Sequence, residues 1–240
     1  MRQVLTLPAD LLTYLNEYQE FITANPPDKN LPNFPMKGKF HSEGRSEYAA
    51  SLECLNSTPA DIHDGFPPDS YGYDLNTPTL RRILNDNHAP PFTDEEKEWI
   101  NKYIEKSEWV DEVIGSWIGF KFSALKMYYP ADGYIAWHTN WNVPGFNCLF
   151  TWSNGDGYWR HLDSSEEPEG SIRPPDDKLV HIQDVDGWHC KLGYYGEKHE
   201  HNKLMWHAAY GGPRITLGFV VGDPDIWNDI VEEITSAENS

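Results

Sequence analysis

Cysteine is scarce in this chain. The 240 residues hold three, Cys54, Cys148 and Cys190, too few for a disulfide framework. Cys148 and Cys190 fall in apolar, strand-like runs, where a thiol serves as a small core residue, and a reducing compartment is the matching expectation. Basic residues are also short, with 19 Lys and Arg against 38 Asp and Glu and a formal net charge of −19. Phosphate backbones and anionic lipid surfaces are gripped by Lys and Arg. Nucleic acid and membrane are therefore not expected partners, whereas a neutral or cationic substrate is tolerated. No apolar run approaches the length that spans a bilayer. The opening MRQVLTLPADLL lacks the apolar core of a signal peptide, so the chain reads as soluble and cytoplasmic. It also has no phosphate-binding Gly-x-x-x-x-Gly-Lys loop, no Gly-x-Ser-x-Gly elbow and no Cys-x-x-Cys, which sets aside the chemistries those motifs serve.

Aromatic residues are plentiful: 10 Trp, 13 Tyr and 10 Phe. Trp and Tyr bury large areas and keep a polar tip. That suits a β-structure whose mouth receives a small ligand, and equally a sandwich that binds glycan or protein through exposed rings.

The two halves differ in period. Leu11, Leu12, Leu15, Tyr18, Phe21 and Ile22 recur at helical spacing over 9–24, before Asn25-Pro26-Pro27. Residues 26–75, rich in Pro, Gly, Asn, Asp and Ser, read as irregular. A short helix is expected over 79–87. Thr93-Asp94-Glu95-Glu96 reads as a capping box opening a helix over 94–106, and a further helix is expected over 109–117. After that the pattern alternates in twos. Strands are expected over 120–129, 134–138, 146–152, 158–161, 179–183, 189–195, 203–207 and 215–221, with turn signals such as Pro130-Ala131-Asp132-Gly133 between them. Successive short antiparallel strands of this kind suggest a jelly roll. The expected fold is mainly β with α: one domain over 1–240, a helical and irregular support over 1–117, a double-stranded β-helix over 118–222, and a helix and tail over 223–240.

Two histidines stand at ends of expected strands, in Tyr134-Ile135-Ala136-Trp137-His138-Thr139-Asn140 and in Trp206-His207-Ala208-Ala209; Arg214-Ile215-Thr216 follows the second. Imidazole suits Fe(II), and two histidines with one oxygen ligand leave positions open for a cosubstrate and O₂. A lone histidine is more often a core residue, but this pair shares a strand-end setting. The order His-x-Asn, His, Arg-x-Thr resembles the Fe(II)/2-oxoglutarate-dependent oxygenases, of the prolyl and aspartyl hydroxylase-like kind. The stretches Asn142-Val143-Pro144-Gly145-Phe146-Asn147 and Phe150-Thr151-Trp152-Ser153 also resemble small oxygenases of bacteriophage genomes. The resemblance covers about 121–221. It implies iron held by His138, His207 and one oxygen ligand. The far carboxylate of 2-oxoglutarate would be anchored by the planar fork of Arg214 and the Thr216 hydroxyl, with Tyr128 or Tyr129 and Asn147 as further carboxylate partners. Trp137, Trp141 and Trp206 would line the mouth or pack behind the histidines. The reaction implied is hydroxylation of an unactivated C–H in a small molecule or peptide, with release of succinate and CO₂.

Asn140 departs from the pattern, since the family carries Asp or Glu there. Its amide oxygen could ligate, a carboxylate such as Asp156 or Asp163 could take the place, or the position could hold water or halide. The resembled halogenases keep a smaller residue at this place, so hydroxylation ranks first and halogenation second. The other alternative is a non-enzymatic aromatic binding module. His199-Glu200-His201 looks like a His-x-His metal motif but lies in a polar run and reads as a solvated turn. His181 and His189 read as satisfied strand histidines. The acidic stretch 164–177 reads as a solvated loop that could edge the entrance.

Overall fold

The computed structural model describes residues 1–30, 44–58, 69–85, 91–120, 123–140, 145–163, 176–196 and 204–239. The fold is mixed α and β, with two antiparallel sheets. Eleven strands form them: β1 Arg2–Val4, β2 Ser70–Tyr71, β3 Tyr73–Asp74, β4 Leu125–Tyr129, β5 Tyr134–His138, β6 Phe146–Asn154, β7 Tyr158–Leu162, β8 Leu179–Gln183, β9 Asp186–Tyr194, β10 His207–Tyr210 and β11 Arg214–Val221. The six-stranded sheet runs β1-β9-β6-β11-β4-β3 and the five-stranded sheet β2-β5-β10-β7-β8. From β4 on, the chain passes between the sheets at almost every step, so neighbours in space are distant in sequence.

All eight expected strands are present, within a few residues of their expected bounds. The largest displacement is β10. Leu204-Met205-Trp206 has the composition of a strand, yet pairing starts only at His207, so His207 opens its strand instead of closing it. Strands β1 to β3 were not expected; at two or three residues they carry too little alternation to read.

Strand alternation divides the larger sheet into two chemically different faces. Ile215, Leu217, Phe219 and Val221 of β11 turn outward with Cys148 and Phe150 of β6, and Cys190 and Leu192 of β9. They meet helix α1 Ala9–Ala24, whose Leu11, Leu15, Tyr18 and Ile22 make one buried stripe. Residues from α5 Thr77–Leu84, α6 Asp94–Val110 and α8 Pro224–Thr235 complete that core. Each fully buried Leu, Ile or Phe there contributes roughly 1.5–3 kcal/mol of transfer free energy. The thiols of Cys148 and Cys190 lie 3.5 Å apart on this face and are free.

Helix α6 begins with the expected capping box: Glu96 N donates to Thr93 Oγ1 (3.1 Å) and Thr93 N to Glu96 Oε2 (2.7 Å). It does not end at 106. It continues into a π-helical turn, Asp111–Gly115, and a last turn, α7 Ser116–Ile118. Buried Lys126 donates to the Ser107 carbonyl (2.7 Å) and to Asp111 Oδ2 (2.7 Å) at that point, a side chain inserted where the ladder changes. Short helices α3 Arg45–Ala49 and α4 Leu52–Ser57 fall in the stretch expected to be irregular (α2, Pro27–Asn30, is a single turn). They cover the smaller sheet, packing Ala50, Cys54 and Leu55 on Trp137, Leu162, Trp206 and Ala208.

Leu217 is fully buried in the larger core. Leu217→Ala should destabilise by about 2–5 kcal/mol, against about 1 kcal/mol for Thr93→Ala, which removes only a cap. Urea unfolding of the two variants beside the parent measures both.

Candidate functional site

The site is built by a local irregularity in β5. His207 pairs with His138 and Ala209 pairs with Ile135, so β5 has one residue more than β10 between the two rungs. This is a β-bulge. Without it, Ile135 and Trp137 would share a face and His138 would point the other way. With it, Ile135 and His138 both face the space between the sheets, and Ala136 and Trp137 both pack behind the smaller sheet. Trp137 is pinned there by its indole N–H, which donates to Ser51 O (2.8 Å).

His138 and His207 thus stand side by side, ring centroids 4.1 Å apart and planes inclined by 57°. Each ring is oriented by the same device. His138 Nδ1 lies 2.8 Å from Ala136 O, and His207 Nδ1 2.9 Å from Met205 O. A carbonyl only accepts, so each Nδ1 carries the proton and each Nε2 the lone pair. That second bond is how metal-ligating histidines are commonly held. Trp159 stacks on His207 at 4.8 Å and 15°, and Tyr195 packs against it at 5.1 Å. Burial first, then the neighbouring His138, holds the His207 pKa well below the ordinary 6.5; its neutral ring is the ligating form.

The pair opens onto a cavity of about 720 Å³ between the sheets, within the usual range for small-molecule sites. Asn140 and Asn147 line it, with Asn147 Nδ2 donating to Gly145 O (3.0 Å). Arg214 and Thr216 line it from β11, opposite Thr151 of β6. Among the described residues, no cluster of three His, Cys, Asp or Glu side chains is placed to hold a metal. An ion at the histidine pair would draw its oxygen ligand from Asn140. Neither expected substitute lines the cavity: Asp163 is exposed, and Asp156 accepts from Asn154 Nδ2 (2.8 Å) in an exposed hairpin.

Tyr128 requires a correction. It packs on the outer face with Tyr73, centroids 6.3 Å apart, and does not line the cavity. The inward position belongs to Tyr129, because Lys126 is drawn outward to Asp111 and sets the phase of β4. Trp206, like Trp137, lies in the cluster behind the histidines. Trp141, His199-Glu200-His201 and residues 164–175 lie outside the described residues.

No protein-family model matches the chain, and no curated protein matches it. The site must be judged on its own geometry.

Three groups escaped the sequence reading. His161 of β7 is the other cross-strand partner of His207. It is 5% exposed, and its Nδ1 has no hydrogen-bond partner. Burial holds its pKa down to about 4. Asp184, after β8, is the ion-pair partner of Arg214 Nη2, which also donates to Tyr158 O (3.1 Å). Lys191 of β9 donates to Asp184 Oδ1 (2.8 Å) and to His189 Nε2 (2.8 Å). The signal was available in Trp188-His189-Cys190-Lys191-Leu192, where two polar residues alternate with apolar ones and mark a polar inner face. The chain passes very close here: a Cβ on Gly157 would sit 2.8 Å from Asp184 Oδ2 and 3.0 Å from Arg214 Nη2, so only glycine lets this pair form.

Burial lowers the pKa values of His161, His189 and His207. Between pH 6.5 and the folded values, the unfolded chain binds protons that the folded chain does not. Stability is therefore full above 6.5 and falls as the pH drops, by up to about 1.4 kcal/mol per pH unit for each histidine. Urea midpoints of the metal-free protein should decline from pH 7 to 5, less steeply in His161→Phe; midpoints that stay flat would contradict this.

Proposed function

We propose that the protein is an Fe(II)- and 2-oxoglutarate-dependent oxygenase on a double-stranded β-helix, hydroxylating an unactivated C–H of a small molecule or peptide residue. One observation carries the reading: two touching imidazoles of fixed tautomer open onto the same cavity as a buried guanidinium. The strand orders β9-β6-β11-β4 and β5-β10-β7-β8 support the β-helix, since they split eight successive strands into two facing sets of four.

The residues fit the group. His138 and His207 would each offer Nε2 to the iron, and Asn140 its amide oxygen. A neutral amide is a weaker donor than a carboxylate, so metal affinity would lean on the two imidazoles. Arg214 and Thr216 would receive the far carboxylate of 2-oxoglutarate. Iron with 2-oxoglutarate and O₂ supplies the oxidising chemistry, yielding succinate and CO₂. The chain orients both reactants and keeps the cavity dry: Trp159 and Tyr195 shield His207, and Leu149, Ile135 and Ala209 give the wall its apolar part.

Asn140 at the cavity wall favours hydroxylation over halogenation, because its side chain occupies room that a halide ligand needs. A module binding through exposed rings is disfavoured, since Tyr194 is the only exposed aromatic among the described residues. No described helix is long and apolar enough to cross a membrane.

The test is release of succinate from 2-oxoglutarate with Fe(II) and air. The parent should turn over slowly without substrate and faster with the right amino acid or peptide. His138→Ala and His207→Ala should fall to background, and Asn140→Asp should bind iron more tightly. Turnover that survives loss of both histidines would reject the proposal.

A further inference from the structure

We propose that Lys191, beside an Arg214 clamped by Asp184, forms a carboxylate-binding subsite in the cavity wall, and that the lysine supplies the charge deciding its affinity. The identity of the ligand, the far carboxylate of 2-oxoglutarate, rests on the oxygenase reading; the subsite itself does not.

Arg214 is less available than its place in the motif suggests. Its Nη2 is committed to Asp184 Oδ2 and to Tyr158 O. Asp184 therefore offsets much of the guanidinium charge and fixes its plane. The same carboxylate also holds Lys191 through Oδ1, at 2.8 Å. Burial lowers the pKa of His189, which leaves that ring neutral. Two cations then share one carboxylate, and one positive charge is left over. All four side chains are at most 3% exposed. An uncompensated buried charge is costly and calls for an anion.

The cavity offers the place for it. Lys191 and Arg214 both line it, with Thr151 and Thr216 between them on adjacent strands. Arg214 Nε is buried and has no hydrogen-bond partner. A guanidinium edge, an ammonium and two threonines suit the two oxygens of a carboxylate, and the apolar walls suit a short carbon chain behind it. Lys191 is also the group that can lose its charge. Its ammonium faces Asp184, Arg214 and His189, with the Cys190 thiol on the neighbouring residue. Burial, assisted by Arg214 and only partly opposed by Asp184, brings its pKa down to about 8. Above that pH, binding an anion requires taking up a proton, and affinity should fall by up to about tenfold per pH unit.

The experiment is calorimetric titration of the full, metal-free chain with succinate, 2-oxoglutarate and inorganic phosphate from pH 7 to 9.5. The two dicarboxylates should bind at pH 7, more tightly than phosphate, and weaken above about 8. Lys191→Gln should lose at least tenfold at pH 7. Lys191→Arg should bind with a flat pH profile, which a merely structural lysine would not produce and which serves even if Lys191→Gln folds poorly. No dicarboxylate binding, an affinity of the parent that is flat to pH 9.5, phosphate binding as tightly, or parent-like affinity in Lys191→Gln would each overturn the inference. Dicarboxylate binding without iron-dependent turnover would sink the oxygenase reading and leave the subsite standing. Turnover with an unchanged KM for 2-oxoglutarate in Lys191→Gln would do the reverse.

Discussion

One extra residue in β5 determines what this molecule can do. The bulge opposite Ala208 turns His138 inward beside His207, and sends Trp137 outward to anchor α4. A regular strand would leave one imidazole in the cavity and the other behind the sheet. Each ring is then locked by the carbonyl two residues before it. The pair is set by backbone geometry and does not depend on a flexible loop.

The rest of the fold serves that space. The larger sheet spends its apolar residues on the helical side and its polar ones on the cavity side, so burial against α1, α5, α6 and α8 stabilises the sheet without filling the site. The polar face cannot be left unpaired at such depth. Asp184, His189, Lys191 and Arg214 satisfy one another there, and a glycine at 157 gives them room. The same cluster that meets the cost of burial also presents surplus positive charge to the cavity.

The strand part of this was legible in the sequence because alternation survives in β4 to β11. The histidine pair was legible from its strand-end contexts. The helical stripe of α1 and the capping box of α6 were legible for the same reason: each is written in local spacing. What depended on phase or on distant partners was not. Tyr128 and Tyr129 cannot be told apart by composition, and only the outward pull of Asp111 on Lys126 decides which faces the cavity. Asp184 reads as an ordinary turn residue until β9 and β11 bring Lys191 and Arg214 to it. His161 reads as one more strand histidine, and only the β7–β10 register sets it beside His207. Helices α3 and α4 are too short for a periodic signal, and their turn-forming flanks hide them.

The central claim is that the two imidazoles hold a divalent iron within reach of a bound 2-oxoglutarate. Anaerobic addition of Fe(II) and 2-oxoglutarate to the purified protein, followed by visible absorption, tests it most directly. The account predicts a weak charge-transfer band saturating at one iron per chain and missing in His207→Ala. A parent protein that binds no iron and develops no band under these conditions would contradict it.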